Sequence, residues 1–188
     1  MSNMLSKRVC AVLTCLGLAG PVFAQQLSIS ASPNPAQVGQ SIGVDVMISG
    51  IQDLYGYQFS LSFNPALLQA NGGTEGSFLS AGGNTFFDAG TVDNSAGTVS
   101  YAFDTLLSAV PGVSGSGTLI HLNFTALSAG TAALNFSDVI FLNSLSADIN
   151  VTAQPGSLTL VTTVPEPASL ALLMAGLGFV AWRRRSAA

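Results

Sequence analysis

Residues 57–64 read Tyr57-Gln58-Phe59-Ser60-Leu61-Ser62-Phe63-Asn64, in which apolar and polar side chains alternate without a fault. An alternation with a period of two is typical of a β-strand that buries one face and exposes the other. Three more stretches alternate in the same way. Their apolar members are Ile42, Val44, Val46 and Ile48; Val99, Tyr101 and Phe103; and Ile120, Leu122, Phe124 and Ala126. The pattern predicts four strands whose apolar members face one core.

Shorter apolar runs extend this prediction to the rest of the chain. They are residues 27–31, 132–136, 139–142, 149–152 and 157–161. Gly, Asn, Ser and Pro separate the runs, as turns between strands require. Before Ala168 the nearest helical candidate is one turn at residues 65–70, and we expect long loops at residues 71–90 and 107–117. Eight or nine short strands at this spacing predict an all-β, antiparallel β-sandwich.

Charge is distributed unevenly along the chain. The 188 residues are 48% apolar and 7% charged, with a formal net charge of −4. All five basic residues lie near the ends, so no Lys or Arg occurs between Arg8 and Arg183. A domain without cations cannot neutralise phosphates, which excludes nucleic acid as a partner. We also expect no side-chain salt bridge inside this domain, and an acidic surface that favours basic partners.

The first 24 residues have the three parts of a secretory signal peptide. Lys7 and Arg8 precede an apolar stretch from residue 9 to residue 20, and the small residues of Val22-Phe23-Ala24 predict cleavage after Ala24. A retained anchor is the alternative, but roughly 12 apolar residues are too few to span a bilayer. A lipoprotein attached at Cys15 is weaker still, because Thr14 is a poor residue before a lipidated cysteine. Cys10 and Cys15 are the only cysteines, so the mature protein is predicted to have no disulfide.

The C-terminal end combines three features in a fixed order. Pro165-Glu166-Pro167 is followed by an uncharged run from Ala168 to Trp182 and then by Arg183, Arg184 and Arg185. An apolar helix that ends in a basic cluster stops translocation with the arginines on the cytoplasmic side. Residues 163–188 resemble a PEP-CTERM sorting signal, although a plain single-pass anchor with a Pro-rich linker is the alternative.

The PEP-CTERM resemblance implies a partner and a location. It implies recognition by an exosortase of a Gram-negative bacterium that makes exopolysaccharide, and removal of the tail near Pro165-Glu166-Pro167. The protein is then expected to be exported to the cell envelope or the extracellular matrix. Before processing, its C-terminal hydrophobic helix would hold it transiently in the inner membrane.

Residues 25–162 form the predicted central domain, and the order of its strands is similar to that of cohesin domains. The segments that carry the resemblance are residues 38–46, 55–68, 97–103, 117–124 and 156–160. The family implies a jelly-roll β-sandwich of about nine strands, related to carbohydrate-binding modules, whose members bind dockerins in polysaccharide-degrading assemblies. Dockerin-binding cohesins commonly have an Asn and an Asp where this chain has Gly56 and Gln58. This departure removes a carboxylate from the expected interface.

The resemblance places a protein partner, dockerin-like in class, on the polar face of the strand at residues 57–64. The candidate binding residues are Gln58, Ser60 and Ser62, with Tyr57 and Asp104 at the margins of that face and Tyr55 near a loop edge. Two alternatives remain. Exposed Tyr55 and Tyr57 in a shallow groove would favour a carbohydrate-binding module for an extracellular polysaccharide, and a featureless polar face would favour a structural matrix protein without a specific ligand.

Few residues could support catalysis, so the domain is predicted not to be an enzyme. His121 is the only histidine, lies on the polar face of its strand, and has no nucleophile elbow beside it. No cofactor is predicted. Calcium is the one metal with candidate ligands, because Asp88 and Asp93 lie in one loop and Ca²⁺ prefers oxygen ligands. The segment 93–97 is equally a good turn sequence.

Overall fold

The computed structural model describes residues 25–162, so the predicted signal peptide and the predicted C-terminal helix lie outside the described residues. The described residues contain eleven strands and one short helix. In chain order they are β1 (Gln26–Ser32), β2 (Ala36–Gln37), β3 (Ser41–Ser62), β4 (Leu68–Glu75), α1 (Ser77–Ser80), β5 (Thr85–Asp88), β6 (Thr91–Asp93), β7 (Thr98–Leu106), β8 (Val113–Ala126), β9 (Gly130–Asn143), β10 (Thr152–Ala153) and β11 (Gly156–Val161).

Strand β3 belongs to both sheets of the sandwich. Its first half pairs with β1 and β8, and β4 and β10 extend this first sheet. Its second half, residues 56–62, pairs with β7 and β9 in a second sheet that continues through β5, β6, β11 and β2. Gly50 and Asp53 have positive φ angles of 66° and 55° where the strand passes from one sheet to the other. Glycine adopts this conformation without steric cost.

The core lies between the two sheets and follows the alternation of the sequence. The side chains at the predicted apolar positions of residues 42–48 and 120–126 are all buried, and so are Phe59, Leu61 and Phe63. Phe59 packs edge-on against Phe136 and Phe63 against Phe124, with ring centroids 5.5 and 5.3 Å apart. The all-β sandwich is therefore confirmed, and nine of its strands are longer than two residues.

Several element boundaries differ from the prediction. The runs at 42–48 and 57–63 are parts of one bent strand, β3, and the runs at 132–136 and 139–142 are parts of β9. Residues 71–90 are not a long loop, because they contain most of β4, the helix α1 and β5. Residues 65–67 form only a turn. Glycine-rich segments of this kind have few apolar side chains, so their strand pairing leaves no period in the sequence.

The alternation predicted for β7 is wrong beyond Val99. Between the pairs Leu61–Val99 and Phe59–Ala102 the register shifts, so β7 places two residues, Ser100 and Tyr101, opposite Ser60. Such a bulge reverses the face to which every later side chain points. Tyr101 is therefore 59% exposed, whereas Ala102, Asp104 and Leu106 point inward.

The expectation that the domain has no side-chain salt bridge did not consider its histidine, which forms an ion pair with Asp45 only when it is protonated. His121 Nδ1 lies 2.6 Å from an Asp45 carboxylate oxygen on the outer face of the first sheet. The two residues are directly opposite in the β3–β8 register, which sequence spacing could not indicate. Both side chains are substantially exposed, so the pair adds little stability.

Candidate functional site

Four strands lie side by side on the outer face of the second sheet, and their paired residues form rows across it. The β7–β3–β9 register places Phe103, Gln58 and Ile140 in one row, and Thr105, Gly56 and Leu142 in the next. Strand β5 adds Phe86 beside Thr105 and Asp88 beside Phe103. We call this surface the β5–β7–β3–β9 face.

A hollow of about 290 Å³ lies at the centre of this face. Gly56 forms its floor because no side chain projects between Thr105 and Leu142. A Cβ atom at Gly56 would lie 3.1 Å from Thr105 Oγ1 and 3.3 Å from the Asp104 carbonyl oxygen. The other lining residues are Tyr57, Gln58, Phe103, Asp104, Thr105, Ile140 and Leu142. The hollow is thus mostly apolar and can accept an apolar side chain.

Exposed apolar side chains border the hollow, and the strands that form it also carry exposed acids. Ile140 is 45% exposed and Phe86 is 58% exposed, and the Phe86 ring packs against Phe103 with centroids 5.6 Å apart. The exposed acids on the face are Asp88 and Asp138. Residues 25–162 contain no Lys or Arg to balance them. Exposed aromatic and branched side chains grouped on one face are typical of an interaction site rather than of an ordinary surface.

Three of the six predicted binding residues are buried, which corrects their expected positions. Tyr57, Ser60 and Asp104 all point into the interior or are covered. Tyr57 is inside because it belongs to the apolar alternation of β3, and Asp104 because the bulge in β7 turns it inward. Tyr57 stacks on Phe59 and Phe141 and donates a hydrogen bond to the Leu119 carbonyl. Burial first, and the acids Asp104 and Glu75 second, raise the pKa of its hydroxyl group.

The other predicted residues remain accessible. Gln58 lines the hollow, and Ser62 is partly exposed further along β3. Tyr55 is partly exposed, and its hydroxyl donates a 2.6 Å hydrogen bond to the Ser108 carbonyl. Tyr55 and Tyr57 therefore do not form a joint aromatic surface, since Tyr57 is buried. The exposed aromatic residues of the face are Phe86 and Tyr101.

Ser60 has a structural role at the bulge. Its Oγ accepts a 3.1 Å hydrogen bond from the backbone N–H of Tyr101, the bulged residue that the ladder leaves without a regular partner. We expect Ser60→Ala to lower the free energy of unfolding by about 1–2 kcal/mol, because a partly buried N–H loses its acceptor. The matched control is Ser62→Ala, whose hydroxyl has only a long 3.5 Å contact to Asn135. Urea unfolding of both variants measures this; equal effects would contradict the role of Ser60.

The two calcium candidates are engaged in turns. Asp93 accepts hydrogen bonds from the N–H groups of Ser95 and Ala96, which lower the pKa of its carboxyl group. Asp88 accepts one from the Gly90 N–H. Among residues 25–162 no group of three His, Cys, Asp or Glu side chains is placed to hold a metal ion. A calcium site at this loop gains no support from the geometry.

The cohesin-domain family matches residues 26–161. The chain belongs to the cohesin family. A second match identifies residues 163–185 as a PEP-CTERM protein-sorting motif. Among curated proteins, none matches the chain. The two family matches support an exported module, and the sorting motif indicates the cell envelope of Gram-negative bacteria. No helix within residues 25–162 is long and apolar enough to cross a membrane.

Solved cohesin structures share the fold at low identity. A type II cohesin from Acetivibrio cellulolyticus, in a cohesin–X-dockerin complex, is 20% identical over 73% of this chain and 99% of its own, with a TM-score of 0.61. A non-cellulosomal cohesin from Archaeoglobus fulgidus is 19% identical over 74% of this chain and 92% of its own, with a TM-score of 0.59. The matched region is nearly the whole length of those chains. Residues 25–162 thus correspond to nearly the whole of each of these solved cohesin chains.

The apolar rim of the face was missing from the sequence-based candidates. Four of its members are Phe86, Tyr101, Ile140 and Leu142. One signal existed, because Val139-Ile140-Phe141-Leu142 is apolar at every position, not at alternate ones. An unbroken apolar run in a sandwich strand indicates that both of its faces are covered or available for contact. For Tyr101 no such signal existed, since its exposure depends on the bulge.

Proposed function

We propose that this cohesin is a non-enzymatic binding module that holds a dockerin-like protein on its β5–β7–β3–β9 face. The observation that carries the proposal is the apolar hollow over Gly56, surrounded by exposed Ile140 and Phe86. Large apolar side chains at the centre of an interface supply most of its binding energy. The cohesin family and the dockerin complex of the A. cellulolyticus relative support the same class of partner.

The residues of the face indicate that its partner does not recognise a carboxylate at the centre of the interface. At Gly56 and Gln58 there is no acidic group, so the central contact is an apolar side chain inserted into the hollow. Asp88 on β5 and Asp138 on β9 are exposed, and no cation in residues 25–162 competes for them. We therefore propose a partner surface with one bulky apolar residue and flanking Lys or Arg residues.

The experiment uses residues 25–162, immobilised and exposed to the proteins that the source bacterium secretes, with Ca²⁺ or with a chelator. A captured protein that contains a dockerin sequence is then purified, and its affinity is measured for the native domain and two variants. We expect Ile140→Asp to weaken binding at least about tenfold, because it places a charge beside the apolar hollow. Met47→Asp is the matched control: Met47 is 37% exposed on the outer face of the first sheet, so binding should be unchanged.

Three results would contradict the proposal. If both variants weaken binding equally, the partner does not use the β5–β7–β3–β9 face. If no dockerin-containing protein is captured and the same domain is retained on an array of the bacterium's exopolysaccharide, the module binds carbohydrate. Retention on neither surface favours a structural matrix protein.

The sorting motif supports a proposed route to the surface. We propose that the chain is exported with cleavage after Ala24 and held transiently in the inner membrane by its C-terminal segment. An exosortase would then cleave near Pro165-Glu166-Pro167. Mass spectrometry of the secreted protein tests both ends. We expect a mature N-terminus at Gln25, and a C-terminus that lacks Arg183, Arg184 and Arg185; an intact basic tail would contradict the processing step.

A further inference from the structure

A buried acidic side chain, Asp104, lies beneath the β5–β7–β3–β9 face beside the half-buried Glu75. Asp104 is 0% exposed, and neither of its carboxylate oxygens has a hydrogen-bond partner among the described residues. The Glu75 carboxyl group, at the end of β4, lies within hydrogen-bonding reach of Asp104. Glu75 is itself fixed by a 2.7 Å hydrogen bond from the Thr85 hydroxyl. Two carboxylates can bond to each other only if one of them carries a proton.

No side chain in this region can neutralise the pair. The titratable groups that face Asp104 are Glu75 on β4 and Tyr57 on β3, and an un-ionised tyrosine carries no charge. The titratable side chains of β5, β6 and β8 are exposed, namely Asp88, Asp93 and His121, and α1 has none. The chain has no Lys or Arg between Arg8 and Arg183. The positive charge that neutralises the two carboxyl groups must therefore come from solvent, as a proton.

We propose that the Glu75–Asp104 pair is a proton-binding site, in which one proton is shared between the two carboxyl groups and makes the stability of the folded domain depend on pH. A shared proton supplies the donor that the orphaned Asp104 oxygens lack. It also removes one of two like charges from a site without a counter-ion. The site lies close beneath the surface, because Asp104 forms part of the floor of the hollow.

The direction of the pH dependence follows from the two states of Asp104. Burial first, and the neighbouring Glu75 second, raise the pKa of Asp104 from 3.8 to about 7 in the folded domain. Between these values the folded domain keeps a proton that the unfolded chain releases. The free energy of unfolding is therefore highest below about pH 4, falls as the pH rises towards 7, and keeps its lower value at higher pH.

The test is urea unfolding of residues 25–162 between pH 4.5 and 8.5 for the native sequence and Asp104→Asn. Asparagine keeps the shape, has no charge to ionise, and can donate an N–H to Glu75. We expect the unfolding equilibrium constant of the native domain to rise by on the order of a hundred- to a thousand-fold across this range, relative to the variant. Asp148→Asn, at an exposed position, is the matched control and should follow the native curve.

A second readout does not depend on stability. The infrared carbonyl band of a protonated carboxylic acid should be present in the native domain at pH 6 and missing in Asp104→Asn. If that variant fails to fold, Asp104→Leu removes the same titrating group from a fully buried position and is measured in the same way. Parallel pH curves for native and variant domains would overturn the proposal. So would a stabilisation of the native domain by Ca²⁺ at pH 8.5 that the variant lacks, since a metal ion would then neutralise the pair.

Discussion

Replacing Phe59 by alanine is expected to lower the free energy of unfolding by about 3–5 kcal/mol, the usual cost of removing a fully buried aromatic ring. Phe59 is 0% exposed, lies near the C-terminal end of β3, and contacts the rings of Tyr57 and Phe136. Its loss would leave a cavity where the two sheets face each other. Because domains of this size are stable by about 5–15 kcal/mol, the variant should be close to unfolding at physiological temperature.

The control for this prediction is Phe86→Ala. Phe86 is the same residue type but is mostly exposed, and its ring contacts only the ring of Phe103 among the aromatic residues described. We expect a loss of about 1 kcal/mol or less. Urea unfolding of the two variants, monitored by far-ultraviolet circular dichroism, gives the comparison. A loss for Phe86→Ala as large as that for Phe59→Ala would contradict the assignment of the core.

Replacing Gly97 by alanine is expected to cost at least about 3 kcal/mol, because two penalties act at the same position. Gly97 has a φ of +71°, which side chains other than glycine rarely adopt. A Cβ atom there would also lie 2.3 Å from the Phe63 carbonyl oxygen. The backbone cannot move away, since the Gly97 carbonyl accepts the Phe63 N–H and the Gly97 N–H donates to Asp93.

Gly39→Ala separates the two penalties. Gly39 has a similar φ of +86°, but a Cβ atom there would meet nothing within 4 Å. This variant should therefore lose only the conformational cost, about 1–2 kcal/mol. Thermal and urea unfolding of both variants give the comparison. If the two variants are equally stable, the close approach of Phe63 to Gly97 contributes nothing.

The proposed binding face was predictable only in part. The prediction of a partner on the second half of β3 rested on resemblance, and it named Gln58, which lines the hollow. It also named Tyr57 and Asp104, whose side chains are buried. The apolar members Phe103, Ile140 and Leu142 come from strands far apart in sequence. Which side chains share one face depends on the register between strands, and no spacing within a single strand contains that information.

The sequence by itself determined the sandwich, the family and the absence of Lys and Arg between Arg8 and Arg183. Period-two alternation at residues 42–48, 57–63 and 120–126 predicts which side chains are buried, because successive side chains of any strand point to opposite faces. Only the tertiary structure decided what happens at the bulge in β7 and where β3 bends between the sheets. Ser100 and Tyr101 lie opposite the single residue Ser60, and this extra residue exposes Tyr101 and buries Asp104 beside Glu75. A local pattern predicts the face of a side chain only while the pairing stays regular, and the pairing depends on the neighbouring strand.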